Sequence, residues 1–160
     1  MKRIVIHWTA GTYEPNTTDK EHYHYLIDGR GNVINGKFKP EDNENCNGGK
    51  YAAHTGGGNT GSIGIAICAM YGYRSATSVG NYPIKKNQCE RMFKLCAELS
   101  KKYNISVKNI ITHYEFGKNY PKTTSAGKID IVYLPPYPDV KINDIGNFIR
   151  TKIRWYLAKI

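Results

Sequence analysis

Apolar residues fall into a few short runs and two periodic stretches, and these set the expected elements. Ile4-Val5-Ile6 is contiguous, so residues 2–7 read as a fully buried strand. Thr9 to Asp19, rich in Thr, Asn, Gly and Pro, reads as loop. His24 to Asp28 and Asn32 to Ile34 predict two strands, joined by Gly29-Arg30-Gly31 in a hairpin with a bulge. Residues 37–50 are polar and irregular, and Ile63 to Met70 predicts a central strand whose small residues admit a closely packed helix. Between Lys85 and Tyr103, the residues Cys89, Met92, Phe93, Cys96, Leu99 and Tyr103 recur at three- and four-residue steps, the signature of an amphipathic helix. Ile110 to His113 reads as a short strand, Tyr114 to Lys128 as a long loop, and Pro135, Pro136 and Pro138 as breakers. A last helix is expected over 143–158, with Ile145, Phe148, Ile149, Ile153, Tyr156 and Leu157 inward and Arg150, Lys152, Arg154 and Lys159 outward. Strands and helices mix without strict alternation, which predicts a mixed α/β class: one domain over 1–160 with a central mixed β-sheet flanked by α-helices.

With 160 residues, 40% hydrophobic and 22% charged, the chain can bury one substantial core. The N-terminus reaches His7 after only three apolar residues, so it reads as a strand rather than a secretory signal. Synthesis in the cytoplasm without an export address is therefore the expectation. Cys46, Cys68, Cys89 and Cys96 form no C-x-x-C pair and are expected to be free thiols. The net charge of +10 suits a polyanionic partner such as nucleic acid, anionic lipid or an acidic cell wall. The basic residues are scattered and no basic-aromatic nucleic-acid motif is present, which argues against nucleic acid.

His7 and His113 each close an expected strand, and Lys128-Ile129-Asp130 follows the second. In an extended segment, residues two apart point the same way, so Lys128 and Asp130 could face one site. Two imidazoles and a carboxylate make a three-ligand metal site with an open position, the arrangement with which zinc generates hydroxide near neutral pH. His22 and His24 offer a rival pair on one strand face, with Tyr23 facing the other way, and a third alternative makes every histidine structural. Spacing alone does not choose among them. Gly56-Gly57-Gly58-Asn59-Thr60-Gly61-Ser62 lacks the Gly-Lys-Ser/Thr ending of a phosphate loop and precedes a strand, so it reads as a flexible loop beside the site. His54, just before it, could touch ligand or face solvent.

Five segments, in order, resemble the zinc-dependent N-acetylmuramoyl-L-alanine amidase superfamily, which includes phage lysozyme-type amidases and the peptidoglycan recognition proteins. They are Ile4 to Ala10, His22 to Val33, Ala53-His54-Thr55 with Gly61 to Ile65, Thr112-His113, and Lys128-Ile129-Asp130. The resemblance covers roughly residues 1–135, with 139–160 expected as a helix packed on that domain. It implies one Zn²⁺ held by His7, His113 and Asp130, with Tyr23 and Lys128 catalytic. Trp8, His54 and Thr55 are implied to contact substrate, and the His22/His24 pair is demoted. The implied reaction is hydrolysis of the amide joining N-acetylmuramic acid to L-alanine in peptidoglycan. A phage or prophage endolysin, acting as a monomer on the wall after lysis, is the implied biology. A non-catalytic peptidoglycan receptor is the alternative. Two departures stand out: the stretch from His113 to Lys128 is long, and the strand from Ile63 to Met70 lacks the acidic residue some relatives use as a base. The family's early helix looks shortened to a loop.

Overall fold

The computed structural model describes residues 1–160. Five strands, β1 (Arg3–Trp8), β2 (Tyr25–Ile27), β3 (Val33–Asn35), β4 (Ser62–Ile67) and β5 (Ile110–Thr112), form one sheet in the order β3-β2-β4-β1-β5. β2, β4, β1 and β5 run parallel, and β3 closes one edge antiparallel through the hairpin with β2. The expected mixed α/β domain is the fold observed.

The two central strands are buried on both faces, but the faces differ. Ile4, Ile6 and Trp8 of β1 and Ile63, Ile65 and Ile67 of β4 belong to the main core. Helices α2 (Lys86–Tyr103) and α4 (Ile145–Leu157) pack there, supplying Cys89, Met92, Phe93, Cys96, Leu99, Ile149 and Ile153. The alternate residues, Val5 and His7 opposite the small Gly64 and Ala66, face the other way. One face of the sheet is therefore branched and apolar, and the other has room for imidazole rings.

The inward positions expected for the last helix pack as read, except that Arg150 is not on the outer side. Its guanidinium donates to Glu115 Oε1 and Oε2 at 2.9 and 2.8 Å and to the Ile110 carbonyl at 3.1 Å. Two short helices replace stretches read as loop. Helix α1 (Thr17–His22) is capped by Asn16 with Asp19 answering, and α3 (His113–Asn119) by Thr112 with Glu115 answering. Neither has the apolar periodicity of a longer helix, and α1 buries no residue. Their capping boxes, Asn16-x-x-Asp19 and Thr112-x-x-Glu115, were the available signals. His113 accordingly opens a helix instead of closing a strand, and Trp8, not His7, ends β1. Cys46, Cys68, Cys89 and Cys96 are free thiols, all but Cys46 buried.

Candidate metal centre

Parallel pairing puts β1 beside β5 with Ile6 opposite Thr112, so the next residues, His7 and His113, emerge side by side at the carboxyl edge of the sheet. The Thr112–Glu115 cap, itself gripped by Arg150, fixes where α3 begins and hence where His113 sits. Asp130 reaches the same point from a turn. Its successor Ile131 buries its side chain in the core with φ of +67°, a conformation that costs a β-branched residue about 1–3 kcal/mol and persists only where packing imposes it.

His7 Nδ1 lies 2.8 Å and His113 Nδ1 3.0 Å from Asp130 Oδ2, and the two Nδ1 atoms are 3.1 Å apart. All three side chains are buried. The outer ring nitrogens reveal where the protons are. Ser125 Oγ donates to the Gly56 carbonyl at 2.7 Å, so at 3.0 Å it accepts from His113 Nε2–H. His54 Nε2 donates to the Ser62 carbonyl at 3.3 Å, which leaves its Nδ1 to accept from His7 Nε2–H at 3.1 Å. Both inner Nδ1 atoms therefore carry lone pairs aimed at a carboxylate oxygen. Three acceptors within about 3 Å suit a cation between them. Zinc at about 2.0–2.1 Å from tetrahedral ligands would separate them by about 3.3 Å, close to the spacing found. Two imidazoles and one carboxylate fit such an ion and leave a coordination position open.

Electrostatics favour the same protonation states. Burial pushes the His7 imidazole below its usual range, against the pull of Asp130. Burial opposes ionisation of Asp130, but its close contacts with the His113 and His7 rings outweigh it and hold the carboxyl well below the ordinary range. His54 is lowered further, by burial and then by its His7 and His24 neighbours.

A cavity of about 450 Å³ opens over these ligands, lined by Trp8, Tyr23, His54, Thr124, Lys128 and Ile129 among others. Tyr23 stands with its ring 5.1 Å from that of His7, and burial followed by the charges of Asp130 and Asp19 raises its phenol above the usual range. Lys128 lines the cavity, exposed, but makes no ion pair with Asp130, whose Oδ2 is taken by the two histidines. Trp8 and His54 contribute to the wall. Thr55 lies behind it, fully buried, with its hydroxyl 2.7 Å from His54 Nδ1 and 3.3 Å from His7 Nε2, out of reach of a ligand. The loop at Gly56 to Gly61 is packed against its surroundings instead of standing free.

The rival pair separates. His22 ends α1 exposed, with Nδ1 on the Ala53 carbonyl. His24 is buried, donating from Nε2 to Asn43 at 2.9 Å and accepting the Gly64 N–H at Nδ1. Burial brings its pKa down to about 4. Between that value and the unfolded value near 6.5, the unfolded chain binds more protons. His24 thus contributes stability that is complete above pH 6.5 and is lost as pH falls toward 4, on the order of 3 kcal/mol. Urea titrations across that range should show the decline, and His24→Gln should make it shallower, leaving the part due to the other buried imidazoles. Residues that spacing did not reveal are Ser125 and Asn59, whose Oδ1 accepts the His54 and Thr55 N–H groups at 3.0 and 2.8 Å.

Residues 1–128 match the family described as N-acetylmuramoyl-L-alanine amidase, a match ending two residues before Asp130. A search of curated proteins finds no match. Among solved structures, the E. coli N-acetylmuramyl-L-alanine amidase AmiD, in complex with anhydro-N-acetylmuramic acid-L-Ala-D-γ-Glu-L-Lys, aligns at 24% identity and TM-score 0.51. That alignment covers 71% of this chain and 48% of AmiD, so the chain spans about half of that protein. PlyL aligns at 19% identity and TM-score 0.53, covering 94% of this chain and 82% of its own. Both likenesses are of fold.

Proposed function

This chain belongs to the N-acetylmuramoyl-L-alanine amidase family, and on that premise we propose that it is a zinc-dependent hydrolase of the amide between N-acetylmuramic acid and L-alanine in peptidoglycan. The observation that carries the zinc dependence is the convergence of His7 Nδ1, His113 Nδ1 and Asp130 Oδ2, three lone-pair donors beneath an open cavity. The same donor set also serves iron oxygenases, and family membership selects hydrolysis. AmiD's muramyl-peptide complex supports the substrate class.

Zinc, when bound there, supplies a Lewis acid and a water acidified to a pKa of about 7. His54 and Ser125 hold the two imidazoles in the tautomer that presents Nδ1 inward. Lys128, free of any carboxylate partner, meets the carbonyl oxygen as it gains charge. Tyr23 holds its proton at neutral pH, so it acts as a hydrogen-bond donor to the reacting groups and not as the base. Tyr23→Phe and Lys128→Ala are expected to keep zinc at parent stoichiometry and to lose on the order of a hundred- to thousandfold in kcat. Elemental analysis beside turnover separates that outcome from simple loss of the metal.

Digestion of purified cell walls, followed by mass spectrometry with and without chelator, tests the whole proposal. New L-alanine amino termini that vanish with chelator are expected. Wall binding with no new termini would make the protein a receptor instead. The net charge of +10 suits a wall rich in carboxylates and anionic polymers, and supports a lytic, endolysin-type role on walls reached after cell lysis.

A further inference from the structure

We propose that Ser125 is a positioning residue for His113, and that Gly56-Gly57 is the seat that holds it in place. Ser125 is fully buried. Its hydroxyl has one proton, and the Gly56 carbonyl 2.7 Å away takes it, so toward His113 it can only accept. The contact therefore dictates which imidazole nitrogen carries hydrogen, and turns Nδ1 inward.

The backbone around this contact is shaped for it. A methyl on Gly56 would overlap the Thr124 hydroxyl, one on Gly57 would lie 2.6 Å from Thr123 Cβ, and one on Gly58 would strike the Phe116 ring. From the opposite side, a methyl on Gly117 of α3 would overlap the Ser125 carbonyl. The Thr123–Ser125 segment thus meets Gly56 and Gly57 on one side and Gly117 on the other, at positions that admit no side chain. Five residues beyond Ser125 the same segment delivers Asp130, so one packed segment sets both the orientation of His113 and the approach of the carboxylate. The tight packing of Gly56 and Gly57 otherwise has no use in the proposed chemistry.

The part of this inference that concerns affinity rests on the zinc proposal, while the tautomer part stands without it. Zinc affinity is measured on the full chain by competition with a chromogenic chelator. The His113 tautomer is read in the metal-free protein from two-bond ¹H–¹⁵N correlations. Ser125→Ala is expected to weaken zinc binding ten- to hundredfold and to move the His113 proton from Nε2 toward Nδ1, where Asp130 accepts it. Affinity within twofold of the parent, with the proton still on Nε2, would overturn the assignment. Gly56→Ala tests the seat without touching a hydrogen-bonding side chain, and keeps the test alive if Ser125→Ala does not fold. It should weaken zinc binding in the same direction, and adding Thr124→Ala, which removes the overlapped hydroxyl, should restore most of the loss. A double variant no better than the single one refutes the seat. A parent chain that binds no zinc would sink the metal proposal alone, and the tautomer of His113 would still decide the role of Ser125.

Discussion

Asp130→Asn is expected to abolish wall hydrolysis and to weaken zinc binding by more than about a hundredfold, beyond what loss of an outer hydrogen-bond partner typically costs. The carboxylate supplies the only full negative charge among the three converging ligands, and its Oδ2 is the atom both imidazoles face, at 2.8 and 3.0 Å. An amide of the same shape keeps the packing but loses that charge, so the variant should stay folded. Added zinc gives a second readout. A ligand that binds only the native state stabilises it by about 4 kcal/mol at a thousand times its Kd. The parent should therefore melt at a higher temperature with zinc than with chelator, and the variant should show a much smaller difference at the same zinc concentration. Stoichiometric zinc in Asp130→Asn would remove Asp130 from the ligand set.

Gly64→Ala should damage both the stability of the protein and its metal site. Gly64 lies in the middle of β4, opposite Val5, on the face that receives the imidazoles. A Cβ there would lie 2.5 Å from His54 Cγ and 2.6 Å from its Cδ2. The ring has nowhere to go: Nδ1 is engaged by His7 and Thr55, and Nε2 by the Ser62 carbonyl. Overpacking of this kind costs about 1–3 kcal/mol, a sizeable share of a domain's total stability of about 5–15 kcal/mol. Any relaxation pulls His54 from His7 Nε2, so zinc affinity should fall about ten- to hundredfold as well. Urea denaturation and chelator competition measure the two effects. Gly48→Ala, where the new methyl meets nothing within 4 Å, is the matched control and should change neither. An unchanged Gly64→Ala would mean that the ring is not confined as described.

Much of the scaffold could be read directly from residue order. Ile4-Val5-Ile6 and the run from Ile63 had to be buried strands, because continuous branched apolar residues have no exposed face to offer. The spacing from Cys89 to Tyr103 had to be a helix for the complementary reason. The short helices α1 and α3 were not legible by that signal, because hydrophobic periodicity reports burial and a helix of six or seven residues has little to bury. Arg150 was misplaced for a related reason. A charged residue on a helix is assigned outward by default, and only a carboxylate from a distant segment, Glu115, makes an inward guanidinium favourable.

The site divides along the same line. Which residues could do the chemistry is a matter of side-chain type and of order along the chain: His7, His113, Lys128 and Asp130 were candidates on these grounds, and the family resemblance added Tyr23. The sequence by itself thus determined the strands, the long helices and the set of candidate ligands, since these depend on local spacing and on intrinsic donor properties. Only the tertiary structure brought His7 and His113 together while parting His22 from His24, placed Thr55 behind the cavity wall, and disclosed Ser125. Each of those outcomes depends on which nitrogen or hydroxyl meets which partner across 12 to 123 residues of chain. A contact of that kind is set by strand register and packing, and leaves no periodicity in the sequence to be read.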